Sequence, residues 1–271
     1  MEVSVNGGEP MKVSSEQLAR FAGREERMTF RVLGLEFCRM LGAVGLFQAA
    51  PKDFPTYAAV RCLSRHDGLT LAALNGGAAA AGLVQTEDPH GFGAFSIPFA
   101  QVKAILSVFK VTLPKEITPQ EYVLEVSVSD RQMTVQDVSG LIDGSSLTVD
   151  VAEDPASLER GDKSSFEMVH TTLAVVQRAM DPKPPVELDS GIYFSPAQVG
   201  RITRAATVLG IELHLRMIGR MLVAPLADDF IAYVPAGEHR EDDDHRAPWV
   251  DARALVEWRD RFREVIDEGV I

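Results

Sequence analysis

At 271 residues with 46% hydrophobic content, the chain is long enough for one large domain or two ordinary ones with a real core. Its net charge of −12 excludes a surface that is basic throughout, although a local basic stripe still acts within a Debye length of about 8–10 Å. Cys38 and Cys62 form neither a CxxC pair nor a disulfide framework, no run approaches a membrane span and no signal-peptide core opens the chain. A cytoplasmic protein with no membrane partner is therefore expected.

Residues 1–27 are weakly patterned and read as an N-terminal extension, with a short helix around Ser15–Ala22. Regular patterning begins at Met28. Thr29–Val32 suits a strand, and Leu35–Gln48 suits a helix with Leu35, Cys38, Leu41 and Leu46 available for burial, weakened by Gly42 and Gly45. Tyr57–Leu63 and Leu69–Leu74 read as strands around an Asp67-Gly68 turn, followed by weaker strands at Ala79–Gln85 and Phe92–Phe95. After Pro98 a helix places Phe99, Val102, Ile105, Leu106 and Phe109 on one side and Lys103, Ser107 and Lys110 on the other. Tyr122–Val128 alternates with Tyr122, Leu124, Val126 and Val128 facing one way. Strands at Gln132–Val138 and Ser146–Val151 complete a first unit over 28–151.

Residues 152–164 read as a linker and 165–237 as a second, shortened unit. Within it Phe166–Met180 is expected to be helical, stopped by Pro182, Pro184 and Pro185. Ser195 is placed to cap a further helix, with Pro196 at its first position, Gln198 completing a capping box and Gly210 ending it. Ile211–Met217 alternates Leu213, Leu215 and Met217 against Glu212, His214 and Arg216. Met221–Pro225 and Phe230–Val234 follow as strands. Residues 238–271 combine an acidic loop with a charged C-terminal helix, and carry a net −5.

Two stretches repeat each other: Pro98-Phe99-Ala100-Gln101-Val102-Lys103-Ala104-Ile105 and Pro196-Ala197-Gln198-Val199-Gly200-Arg201-Ile202. Each follows an aromatic-Ser pair, and each opens a helix with cations and no acid. The four expected helices together sum to +4 in an acidic chain, which points to a local basic surface.

The order of elements and three stretches resemble the DNA sliding clamp family, which includes the bacterial DNA polymerase III beta subunit and proliferating cell nuclear antigen. Met28–Val32 with Leu35–Leu41 resembles the first strand and helix of a clamp domain. Asp67-Gly68-Leu69-Thr70-Leu71-Ala72-Ala73-Leu74-Asn75-Gly76 resembles its DGxLxLxATDG hairpin, with Asn75 where Asp is usual. Phe230–Ala236 resembles the closing strand. The resemblance covers roughly residues 28–237 and implies a divergent, two-domain form. The implied fold class is α+β, with antiparallel sheets outside and paired helices on the inner face.

The resemblance further implies a non-enzymatic processivity factor that encircles double-stranded DNA through sequence-independent phosphate contacts. By position in the helices, Arg39, Lys103, Lys110, Arg178, Arg201 and Arg204 would face DNA, and Arg31, Arg65 and His66 could approach it. Val234, Pro235 and Ala236 match residues that take short motifs of DNA polymerase and other clients. A clamp loader is a further candidate partner, and four helices per protomer imply a homotrimeric ring. The repeated helices lie 97 residues apart, shorter than a clamp-domain repeat. Either the second unit has lost strands, or Phe166–Met180 is not its first helix. The alternative reading is a clamp-like interaction or regulatory protein that does not bind DNA.

Catalytic signals are thin. The six histidines include no HExxH and have no Cys partner at ligand spacing, and no GxSxG, Walker or GxGxxG pattern occurs, so neither cofactor nor metal is expected.

Overall fold

The computed structural model describes residues 2–3, 11–12, 28–109, 118–129, 131–140, 144–151 and 194–237. The expected helices at 15–22, 165–180 and 252–268, and the linker 152–164, lie outside the described residues. Near the N-terminus β1 (Glu2–Val3) pairs with β2 (Met11–Lys12).

From Met28 onward the chain repeats a strand, a helix and three strands. The first half is β3 (Met28–Leu33), α1 (Gly34–Gly45), β4 (Ala59–Arg65), β5 (Gly68–Leu74) and β6 (Ala79–Val84), with a turn of 3-10 helix at Pro55–Tyr57. A short β7 (Glu87–His90) leads to the second half: β8 (Gly93–Pro98), α2 (Phe99–Val108), β9 (Val123–Val128), β10 (Gln132–Asp137) and β11 (Ser146–Asp150). The halves exchange their leading strands. β3 pairs antiparallel with β9, Phe30 opposite Val126, and β8 pairs antiparallel with β4, Phe95 opposite Cys62. One five-stranded sheet, β11-β10-β9-β3-β7, results from this exchange.

The remaining elements are α3 (Pro196–Leu209), β12 (Arg216–Ile218), β13 (Met221–Ala227) and β14 (Phe230–Pro235), a helix and a triplet of the same kind. This triplet does not form a sheet of its own. β14 pairs antiparallel with β6 from Phe230 opposite Gly82 to Tyr233 opposite Ala79, which produces a seven-stranded sheet, β12-β13-β14-β6-β5-β4-β8. The architecture is the expected α+β one, with antiparallel sheets and helices packed on them.

Local chemistry explains the register. In β9, Leu124, Val126 and Val128 are buried at every second position, against Met28, Phe30 and Val32 of β3. The β4–β5 hairpin turns on His66-Asp67, and Gly68 follows at φ +137°, where a Cβ would meet the Val84 carbonyl oxygen at 2.6 Å. In the helix layer α1 is central. A Cβ on Gly42 would lie 3.4 Å from Val208 of α3 and 3.6 Å from Leu106 of α2. The glycine that weakens α1 by intrinsic propensity thus lies where both neighbouring helices approach. Phe37, Cys38, Met40, Leu41 and Val44 pack from α1 into the main core with Phe30, Leu69, Leu71, Ile105 and Ile202.

Two expectations change, and one strand is missed. Ser195 makes no side-chain cap; its carbonyl accepts from the Gln198 and Val199 amides instead, and the Gln198 side chain is engaged elsewhere. Residues 211–215 are not a strand, and the apolar side of the alternation, Leu213, Leu215 and Met217, is exposed. Polar β7, with Pro89 in its middle, is not legible in the sequence because an edge strand needs no apolar face.

Candidate nucleic-acid interface and partner surface

The three described helices carry Arg39, Lys103, Arg201 and Arg204 against one acid, Glu36. Lys110 and Arg178 lie outside the described residues. The repeated helices are seated alike: Ile105 of α2 and Ile202 of α3, equivalent in the repeat, are both fully buried. Burying the same position leaves the corresponding faces outward, Lys103 with Ser107 on α2 and Arg204 with Thr207 on α3, although Lys103 aligns with Gly200 and Arg204 with Ser107.

The cations on these faces differ in freedom. Lys103 Nζ stands 4.4 Å over the Phe99 ring, a cation–π contact that leaves the ammonium exposed. Arg204 is exposed, and its Nε donates to the Gly200 carbonyl at 3.2 Å. Arg201 is half-buried. Its guanidinium donates to the carbonyls of Leu46 and, at 3.3 Å, Gln48, just past the C-terminus of α1. A cation at that end faces the negative pole of the helix dipole, so Arg201 ties α3 to α1. Burial, then the nearby Arg204, push its pKa below the usual guanidinium value. The hydroxyl protons of Ser107, Thr203 and Thr207 go to carbonyls of their own helices, so these side chains offer an outside ligand only acceptor lone pairs. Away from the helices, Arg31 meets Glu125 at 3.4 Å and Asp88 at 3.7 Å.

Arg39 lines a cavity of about 220 Å³ with Glu36 and Asp229 on its polar side and Leu33, Leu35, Met40, Leu209 and Ile211 among its apolar residues. The pKa of Glu36 is raised, chiefly by burial and further by Asp229, against a hydrogen bond from the Gln85 amide at 3.4 Å. Sequence reasoning misses this cavity because its walls come from α1, the end of α3 and the β13–β14 turn.

Val234 is a buried core residue and Pro235 is exposed at the end of β14, opposite Met221. The Ala236 amide donates to the Arg220 carbonyl at 2.7 Å, and Arg220 Nη2 returns a bond to the Gly237 carbonyl at 3.1 Å. The strand end is therefore fixed, with only Pro235 and half-buried Ala236 offered outward.

Asn75 is legible in the sequence only as a turn residue of the hairpin. In the structure it is buried, its Oδ1 accepts from the Gly77 amide at 3.0 Å, and its Nδ2 donates to Gln198 Oε1 at 3.3 Å. The hairpin motif and the repeated helix motif touch at this bond. The thiols of Cys38 and Cys62 are buried; burial pushes that of Cys38 up to about 12 and that of Cys62 higher still. Among the described residues no three His, Cys, Asp or Glu side chains are grouped to hold a metal ion. No described helix is long and apolar enough to cross a membrane.

No family model and no curated protein matches the chain. Among solved structures, the DNA polymerase III beta subunit of Thermotoga maritima superposes with a TM-score of 0.51 at 12% identity, over 79% of this chain and 65% of that one. A candidate DNA polymerase III beta subunit from Eubacterium rectale gives a TM-score of 0.51 at 9% identity, over 77% and 65% of the two chains. The fold is thus shared with bacterial DNA polymerase III beta subunits, and the chain spans about 65% of their length.

Proposed function

We propose that this chain is a DNA sliding clamp that holds a polymerase on duplex DNA through phosphate contacts from its helix layer. The observation that carries the reading is the equivalent seating of α2 and α3. Ile105 and Ile202 are buried at matching positions, which sends Lys103 and Arg204 outward from the two repeated helices of an acidic chain. The shared fold supports it. Cations on helices read no base sequence and suit a protein that must move along DNA.

In this reading the protomers close a ring of three in the cytoplasm, a loader opens it, and clients dock near Val234, Pro235 and Ala236. Lys110 and Arg178 join Arg39, Lys103, Arg201 and Arg204 on the DNA side. The action makes and breaks no covalent bond, so the role is that of a scaffold and not an enzyme.

A second reading is favoured by the bonds of Arg201 and of the helix hydroxyls, which leave few free donors for phosphate. It is a clamp-like interaction protein that does not hold DNA. Charge reversal separates the two. In Lys103→Glu and Arg204→Glu variants, retention on nicked circular duplex and polymerase processivity fall, and the slope of log K against log salt drops by about one for each phosphate no longer neutralised. Unchanged retention and slope would leave only the second reading. Solution mass is the companion measurement: the ring requires a whole multiple of three protomer masses.

A further inference from the structure

The edges of the two sheets are guarded unequally. β7 carries Glu87, Asp88 and Pro89, and β11 exposes Ser146, Thr148 and Asp150. Charges and proline are what keep an exposed strand from recruiting another. At the other end of the seven-stranded sheet, β8 ends in Pro98 and none of its own large apolar side chains is exposed. β12 is different. It ends the seven-stranded sheet, and along it and the segment before it Leu213, Leu215 and Met217 are 40%, 43% and 46% exposed at alternate positions.

The internal repeat sharpens this contrast. β4 and β9, the first strands of their triplets, are each flanked by an antiparallel leading strand, β8 and β3 respectively. β12 is the first strand of the third triplet and, among the described residues, has no such neighbour. β13 continues through Ala224–Ala227 beyond the part that pairs with β12, but Pro225, opposite His214 in the continued register, has no N–H to give, so residues 212–215 stand outside the β12–β13 ladder.

The residues on this edge specify their own partner. Glu212-Leu213-His214-Leu215-Arg216 is self-complementary when read antiparallel. Centred on His214, Glu212 falls opposite Arg216 of a second copy, Leu213 opposite Leu215, and His214 opposite itself. Directly opposed residues lie on the same face, so both charge pairs and both apolar pairs form at once. Within one chain these charges are poorly used. Glu212 reaches His214 only at 4.0 Å with both side chains well exposed, and Arg216 has no ion pair among the described residues.

We infer that two copies of this chain associate through antiparallel pairing of the 212–216 edge, about a two-fold axis at His214. The interface is isologous, so each copy gives and receives the same contacts. It is independent of the phosphate-facing helices and of ring closure, and it does not depend on the reading as a clamp.

The test is charge exchange, followed by sedimentation equilibrium and light scattering on the full-length chain. Glu212→Arg alone sets arginine against Arg216 of the partner, and Arg216→Glu alone sets glutamate against Glu212. Each single variant weakens self-association by about tenfold, since two favourable pairs become repulsive. An equimolar mixture of the two variants restores it, because every facing pair is again opposite in sign. Oxidation of a His214→Cys variant crosslinks two chains across the axis, where opposed Cα atoms lie within disulfide reach. Since all substituted side chains are exposed, native circular dichroism is retained throughout. Self-association indifferent to both reversals, a mixture no better than its components, or a His214→Cys variant that forms no crosslinked pair would each overturn the proposal.

Discussion

Asn75 donates to Gln198 across 123 positions of sequence, at 3.3 Å, where a hairpin turn meets the first turn of α3. Because Asn75 is buried and its Oδ1 is already taken by the Gly77 amide, its NH2 group needs a partner. Removing Gln198 leaves that donor unpaired, so Gln198→Ala is expected to lower stability by about 1–3 kcal/mol in urea unfolding. Asn75→Asp keeps the bond to Gly77 and can accept from a rotated Gln198 amide. It is expected to lose much less than Asn75→Leu, which forfeits both bonds.

Arg201 is expected from the sequence among the DNA-facing cations, yet its donors also secure the end of α1. Charged hydrogen bonds of this kind contribute about 1.5–3 kcal/mol, and partial exposure places Arg201 toward the lower part of that range. Arg201→Ala is therefore expected to lower the urea midpoint clearly, and Arg201→Lys to recover part of the loss. Arg204→Ala leaves the midpoint nearly unchanged, since Arg204 is exposed and its one described bond is to the Gly200 carbonyl of its own helix. If DNA binding is present, loss through Arg204→Ala at full stability, against loss through Arg201→Ala in step with unfolding, separates direct binding from support.

Legibility followed locality. Strands buried on one face declared themselves, as Tyr122, Leu124, Val126 and Val128 did by strict alternation. So did the α3 terminus at Gly210, whose φ of 73° is the left-handed cap that glycine allows. Residues 211–217 have the same alternation as β9 but lie at a sheet edge, and pattern alone does not tell a buried face from one exposed at an edge. Gln198 satisfies the spacing of a capping box, but its partner lies 123 residues upstream, and such a bond is invisible to local rules. The Glu36 cavity escapes for the same reason, since its walls are distant in sequence. Lys103 is exposed as the helical periodicity after Pro98 requires, and burial of Ile202 leaves Arg204 exposed on α3.

Glu36 gives a pH signature of known sign. Burial and Asp229 raise its pKa in the folded state, so the native chain holds this proton more tightly than the unfolded chain. Stability from this group is therefore greatest below the unfolded value of 4.5 and declines as pH rises toward the folded value. Glu36→Gln removes the titration while keeping an oxygen for the Gln85 amide. In urea titrations at successive pH values, the variant should gain on the wild type as pH rises from 4.5, then hold a constant lead. Asp229→Asn should reproduce part of that lead, since it removes the lesser cause.

Gly82 of β6 pairs with Leu71 of β5 on one side and Phe230 of β14 on the other. A Cβ at this position would overlap the sulfur of buried Met40, which reaches down from α1. Gly82→Ala therefore displaces the Met40 side chain from its packed position, and is expected to cost about 1–3 kcal/mol by overpacking. Met40→Ala alone leaves a cavity and costs about 2–5 kcal/mol. The two defects share one space, so the double variant should be less destabilised than the sum of the single ones. A coupling of about 0.5–3 kcal/mol in a double-mutant cycle measures how far the two positions share that space. Additive losses would mean that Met40 and Gly82 do not touch, and that α1 is held over β6 by its other neighbours alone.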